Sequence, residues 1–183
     1  MIDLLGQKDN ESSQSDKIFN TEKSLIKIFK NYSLNEIRTP ALEDEQLFNR
    51  SVGESSDIVN KELYSFQDKN EKTISLRPEG TAGVARSIIE KKLEKDFHRL
   101  WYLGPMWRYE RPQKGRYRQF NQAGVELLGY EEGLAELEMI SMIISINSEL
   151  NIKNPKIQIN HLGDKKSKEE FCNDLKTFLE PHA

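Results

Sequence analysis

At 183 residues, 36% hydrophobic and 31% charged, the chain is long enough for one domain with a sizeable core. Its 27 Lys and Arg against 30 Asp and Glu leave a net charge of −3, which excludes an overall basic footprint for a nucleic acid; any polyanion has to be met locally. One cysteine excludes a disulfide framework and a thiolate metal cluster and suits a reducing cytoplasm, and neither an export signal nor a run of about 18 apolar residues is evident.

In chain order, residues 1–15 are polar after the first five and read as loose. Ser15 or Asp16 is placed to cap a helix from Lys17 to Asn31, with Ile18, Leu25, Ile28 and Phe29 as a partial apolar stripe. NEIRTP then reads as extended, with Pro40 at a strand end, and a helix or irregular stretch covers Asp44 to Val52. ELYSFQD and KTISLRP read as a hairpin turning at Asp68, Lys69 and Asn70. A helix is expected from Thr81 to Lys95 and another from Ala135 to Leu150, the latter apolar on most sides and hence mostly buried. KIQINHLG reads as a strand and Ser167 to Leu179 as a final amphipathic helix, on which Cys172 is expected to be a small buried hydrophobe. Helices mixed with antiparallel hairpins predict an α+β fold: a mixed, mainly antiparallel sheet with flanking helices.

Residues 108–126, RYERPQKGRYRQFNQAGVE, are the most informative stretch. Arg108, Arg111, Lys114, Arg116 and Arg118 surround a single acid, Glu110, and Pro112 and Gly115 mark a turn. The flanks, LWYLGPMW and QFNQAGVELLG, read as strands. A cationic loop between two antiparallel strands suits phosphate, because the planar guanidinium fork matches phosphate oxygens. Alternation places Arg118, Phe120, Gln122, Gly124 and Glu126 on one face and Gln119, Asn121, Ala123, Val125 and Leu127 on the other. If the strands pair in register, Arg108 joins the first face. That face resists packing against an apolar layer, since an unpartnered buried carboxylate is costly. It suits a ligand pocket, with Gly124 letting a flat ring lie on the backbone and Glu126 available to a cationic or N–H group. The plain alternative is a solvated hairpin.

LRPEGTAG, residues 76–83, is the second such segment. It puts Glu79 and Thr81 where a strand ends and a helix begins. They either hold a ligand ammonium there or cap the helix, Thr81 as N-cap and Glu79 as partner of the helix dipole.

With these motifs the chain resembles the N-terminal part of the catalytic domain of histidyl-tRNA synthetases, class II aminoacyl-tRNA ligases. EIRTPALEDEQLFNRSVGESSDIVNKELYSF, residues 36–66, is similar to the family's motif 1, which implies that Pro40 belongs to a dimer interface. LRPEGTAGVAR is similar to its amino-acid-binding segment. LWYLGPMWRYERPQKGRYRQFNQAGVELLG, about residues 100–129, is similar to motif 2 with its loop; RPQKGRYRQF is specific to this family among class II enzymes. The resemblance implies that Arg108 is catalytic and grips the ATP α-phosphate. It implies that Glu79, Thr81, Arg108, Gln122 and Glu126 bind histidine, with Glu79 and Thr81 near the ammonium and Glu126 near the imidazole. Glu110, Arg111, Arg116, Gln119 and Phe120 would serve ATP or the tRNA acceptor end, with Phe120 stacking on adenine. ATP is then a substrate, Mg2+ bridges its phosphates, and no metal ligands of the protein's own are implied. Histidine, ATP and histidine tRNA are the implied partners, in a cytoplasmic homodimer. His98, His161 and His182 need no catalytic part.

The sequence departs from the family in places. The opening Arg-Gly pair is absent, Gly6 replaces a proline, Asn121 stands where His is common, and His161 where Ser is common. Motif 3, the second catalytic arginine and the anticodon-binding domain have no counterpart in these 183 residues. The chain therefore reads as a partial catalytic domain, weak or inactive alone, with unpaired sheet edges and an open apolar face. Two alternatives remain: a non-enzymatic synthetase-like regulatory subunit of ATP phosphoribosyltransferase, or an RNA-binding module reusing the basic loop.

Overall fold

A ten-pair antiparallel ladder is the backbone of this fold: His98 faces Leu128 at one end and Trp107 faces Gln119 at the other. In this computed structural model, residues 10–52, 62–111, 113–131, 133–160 and 164–180 are described. They form α1 (Ser12–Asn31), β1 (Asn35–Glu36), β2 (Leu42–Asp44), α2 (Glu45–Val52), β3 (Tyr64–Gln67), β4 (Thr73–Leu76), α3 (Thr81–Glu90), β5 (His98–Trp107), β6 (Gln119–Leu128), α4 (Leu134–Glu149) and α5 (Lys165–Leu179). One sheet has the order β1-β5-β6, with β1 parallel to β5; the other, β2-β4-β3, is antiparallel. The mixed, mainly antiparallel α+β architecture agrees with the sequence. Residues up to Asn151 form one compact unit and those from Ile152 a second.

Several helix boundaries differ from expectation for local reasons. The first helix starts at Ser12, before the expected Ser15 or Asp16 cap, because no Gly or Pro interrupts Ser12–Gln14. It ends where Ser33 turns left-handed at φ 56° and the Leu34 N–H bonds the Phe29 carbonyl at 3.0 Å. That closure folds Leu34 back onto the core beside Phe29. Five residues before the expected Lys95, α3 stops in the same way: Lys92 has φ 58° and the Leu93 N–H bonds the Ile88 carbonyl at 3.0 Å. The expected hairpin turn at Asp68 is present, its Oδ1 accepting from the N–H groups of Asn70 and Lys72 at 2.7 and 2.9 Å. Strand β2, only three residues long, is too short for alternation to reveal.

The β5–β6 hairpin has two unlike faces. Trp101, Leu103, Val125 and Leu127 look toward α1 and α4, where Ile28, Phe29, Leu34 and Met142 complete a core and the Phe29 and Trp101 rings stand 5.3 Å apart. Each such apolar side chain, fully buried, contributes about 1.5–3 kcal/mol. The Tyr32 hydroxyl ties α1 to α4, lying 3.0 Å from both Ser141 and Ser145 hydroxyls. Arg99 on β5 adds an ion pair to Glu138 and a 2.7 Å bond to the Tyr32 carbonyl. The other hairpin face carries Tyr102, Met106 and Phe120, which pack with Val84 of α3.

Three expectations fail. Helix α4 is not mostly buried: Met142 is, while Leu134 and Leu137 are 72% and 63% exposed. A helix apolar all round needs partners all round, and here α1 and the hairpin cover one stripe. In the second unit, Lys156–Asn160 of the expected KIQINHLG strand joins no ladder; residues 161–163 lie outside the described ones. Cys172 is exposed on α5, whose described side chains all are. Among the described residues β6 pairs on one side only, so it is a sheet edge.

Candidate active site

The ladder register decides which side chains meet. Leu100 pairs with Glu126, Tyr102 with Gly124, Gly104 with Gln122 and Met106 with Phe120, so these eight residues share one face. Arg108 continues the row: its N–H bonds the Arg118 carbonyl at 2.9 Å and its guanidinium lies 5.1 Å from the centre of the Phe120 ring. The face is thus mixed rather than wholly polar. Phe120, Tyr102 and Met106 form an apolar floor against Val84, and Arg108, Gln122 and Glu126 are the polar groups upon it.

The start of α3 closes over one end of this row. Both carboxylate oxygens of Glu79 are used there, accepting from the Thr81 N–H at 2.5 Å and the Ala82 N–H at 2.9 Å. Glu79, not Thr81, is therefore the capping side chain, placed where the helix dipole favours an anion. The Thr81 hydroxyl is left to donate to Glu126 Oε1 at 2.7 Å, which joins α3 to β6. Burial is the main force raising the Glu126 pKa above the ordinary carboxylate range; the Thr81 bond opposes it and the Glu79 charge adds to it. Gln122 sits between, and its buried Oε1 has no hydrogen-bond partner. Such an orphan acceptor is costly unless a donor arrives.

Tyr102 is the residue that the sequence reading missed. Gly124 does let a flat ring lie on the backbone, but the ring is that of Tyr102, whose Cζ would be 2.1 Å from a Cβ at Gly124. The signal was available: counting back in twos from Arg108 along β5 reaches Tyr102 on the same face. Its phenol pKa is raised, chiefly by burial and further by the Glu126 and Glu79 charges, against the Thr81 side chain and the Gly80 backbone.

At the other end lies the basic loop. Arg108 Nε donates to the Pro78 carbonyl at 2.9 Å, which anchors the guanidinium one residue from Glu79. Glu110 stands between two arginines, 3.2 Å from Arg116 and 4.0 Å from Arg108. Arg118 lies over the Tyr109 ring at 3.9 Å and donates to the Glu110 carbonyl at 3.2 Å. Arg111, Lys114 and Arg116 are exposed. The tip is a tight turn with Gly115 at φ 84°, a conformation that suits glycine, and Gln113 bridges Arg116. Pro112 lies outside the described residues.

The structure brings Glu79, Thr81, Glu126, Gln122, Phe120 and Arg108 to one face, with Glu110 and Arg116 at its rim. It does not bring Gln119, which accepts from the Trp107 indole at 3.3 Å on the opposite face. There Gln119 borders a cleft of about 470 Å3 against the start of α1, lined also by Gln14, Lys17 and Asn121. Phe120 already carries Arg108 over its ring. Pro40 is exposed in the link between β1 and β2. His98 Nε2 lies 2.7 Å from the Leu93 carbonyl oxygen, a packing role; His161 and His182 lie outside the described residues. Among the described residues no group of three or more His, Cys, Asp or Glu could hold a metal, and no helix is long and apolar enough to cross a membrane.

Comparison with known proteins adds ancestry to this geometry. The model of the histidyl-tRNA synthetase family matches residues 6–163. A histidine–tRNA ligase of Latilactobacillus sakei is 45% identical over 181 residues, covering 97% of this chain and 42% of that protein. One of Macrococcus caseolyticus is 46% identical over 180 residues, covering 97% and 43%. Among solved structures, apo histidyl-tRNA synthetase of S. aureus superposes with a TM-score of 0.78 at 37% identity, over 99% of this chain and 43% of that one. An ATP phosphoribosyltransferase regulatory subunit/histidyl-tRNA synthetase from Bacillus halodurans gives 0.71 at 24% identity over 84% of this chain and 39% of its own, a likeness of fold alone. The chain spans about two fifths of the length of the curated relatives it matches.

Proposed function

Because the chain belongs to the histidyl-tRNA synthetase family, we propose that it carries the histidine- and ATP-facing surface of a histidine–tRNA ligase. One observation carries the reading: Arg108, Gln122 and Glu126 stand on one face of the β5–β6 hairpin, closed at one end by the Glu79–Thr81 helix start. From Phe120 to Glu126 the row runs about 20 Å at roughly 3.3 Å per residue, room for an amino acid and a nucleotide end to end.

In this reading the histidine imidazole N–H donates to Glu126, and its ammonium donates to the orphan Gln122 Oε1 beside Thr81 and Glu79. An apolar amino acid would leave Glu126 unpaired, and a site built to pair a polar group rejects analogues lacking it. Arg108 lies against the α-phosphate. A histidine carboxylate oxygen bonds to the α-phosphorus while the bond to the bridging oxygen of pyrophosphate breaks; pyrophosphate leaves and histidyl-adenylate remains. The terminal ribose hydroxyl of tRNA then attacks the acyl carbon, and AMP leaves. The protein positions these groups and neutralises charge. Magnesium would enter with the triphosphate as part of the substrate and would supply charge neutralisation there. The exposed Arg111, Lys114 and Arg116 meet the outer phosphates or the acceptor end of tRNA. A homodimer in the cytoplasm, with exposed Pro40 at the subunit contact, completes the proposal.

The test is ATP–pyrophosphate exchange by the natural protein that contains these residues. Exchange dependent on histidine supports the reading. Histidine binding with no exchange fits a regulatory subunit instead, and RNA binding indifferent to histidine fits the plain basic-loop module.

A further inference from the structure

One buried side chain of the polar row packs between the two elements that carry the site residues. Tyr102 is 7% exposed, and its ring stands in a slot with glycine walls on different elements. One wall is Gly80, at the start of α3; a Cβ there would lie 2.3 Å from ring Cε2 and Cζ. The other is Gly124 of β6, where a Cβ would lie 2.1 Å from Cζ and 2.3 Å from the hydroxyl oxygen. Neither glycine has a left-handed backbone, so space and not conformation calls for glycine at both. Gly80 immediately precedes Thr81, and Gly124 precedes Glu126 by one strand repeat. The ring therefore touches the chain beside each partner of the Thr81–Glu126 hydrogen bond.

We propose that Tyr102 is a positioning residue: its ring sets the gap between α3 and β6 and so holds Thr81 against Glu126 in the geometry that selects the amino-acid side chain. The inference rests on the function proposed above. Thr81 is itself exposed; its hydroxyl donates to Glu126 and also bonds the Tyr102 hydroxyl, so Tyr102 braces it directly as well as through the backbone. A rigid aromatic wedge fixes it at both walls, and a misplacement of about 1 Å in a site of this kind costs up to about 10²-fold.

The experiment pairs a stability cycle with kinetics on the natural full protein. Gly124→Ala should lower the unfolding midpoint in the wild-type background, where the new methyl meets the ring. It should have little effect in a Tyr102→Leu background, where the ring is gone but the site stays apolar. In exchange assays Tyr102→Leu should raise the KM for histidine roughly 10- to 100-fold while the KM for ATP and kcat move less than about threefold. Tyr102→Phe keeps the wedge but loses the hydroxyl's bond to Thr81, and should recover most of the histidine KM. Equal damage from Gly124→Ala in both backgrounds overturns the wedge. Equal losses for histidine and ATP, or Phe as harmful as Leu, overturn the positioning role. Wild-type protein without histidine-dependent exchange would overturn the functional reading and the histidine part of this one, while the cycle still decides the wedge.

Discussion

Glu126→Gln separates the two halves of the site. The carboxylate spends Oε1 on the Thr81 hydroxyl, which leaves Oε2 to accept from a ligand. Glutamine keeps an acceptor for Thr81 but turns an NH2 group toward a ligand donor. The loss is one hydrogen bond to a charged group, about 1.5–3 kcal/mol, or roughly 10- to 150-fold in the KM for histidine. In the proposed function ATP lies toward Arg108 at the far end of the row, so its KM should change less than about threefold. The substitution should also stabilise the protein. The folded state raises the Glu126 pKa, mainly through burial, so folding takes up a proton between the ordinary and the raised value. Stability is therefore full below the ordinary carboxylate range and falls as pH rises through the raised pKa. A neutral amide at this position removes that loss, and the variant should melt higher than wild type at pH 7 but not at pH 3. ATP–pyrophosphate exchange with each substrate varied, and melting curves at the two pH values, are the assays. Equal losses for histidine and ATP, or a variant less stable at pH 7, would refute the reasoning.

Other consequences follow from single contacts. Arg108→Ala should slow adenylate formation by about 10²–10³-fold in single turnovers, the usual cost of one preorganised charge donor, with the fold intact by circular dichroism. Glu79→Ala removes the cap of two α3 N–H groups and should cost about 1 kcal/mol by urea titration, together with a higher KM for histidine. Arg86→Leu takes from Glu43, whose side chain is 7% exposed, the partner that bonds it at 2.7 Å and leaves only the nearby Arg77 charge; with Arg86 a quarter exposed and that charge remaining, the cost should be at or below the low end of the range, about 3 kcal/mol. Adding Glu43→Leu should recover most of it. Tyr32→Phe should cost about 1 kcal/mol by untying α1 from α4.

Much of the site was legible because a strand repeats every two residues. Once β5 and β6 pair in register, Arg108, Gln122, Gly124 and Glu126 have to share a face, and no tertiary knowledge is needed. Glu79 and Thr81 were half legible. Local chemistry offers a cap or a ligand site, and the structure uses Glu79 as the cap while sending Thr81 to a residue 45 positions away, a contact no local pattern encodes. Tyr102 escaped because its meaning depends on two glycines on other elements. Burial was misjudged at α4 and Cys172 for a related reason: composition tells how apolar a helix is, not how many partners reach it. The early end of α3 turned on Lys92 adopting a left-handed backbone, which sequence does not flag in a lysine.

The central claim is that one face of the β5–β6 hairpin, from Arg108 to Glu126, binds ATP at one end and histidine at the other. Isothermal titration of the natural full protein with histidine, with and without a non-hydrolysable ATP analogue, for wild type and Glu126→Gln, addresses it most directly. The account predicts saturable histidine binding, weakened about 10-fold or more by Glu126→Gln, with binding of the analogue unchanged. Histidine binding of wild-type strength in the variant would contradict it.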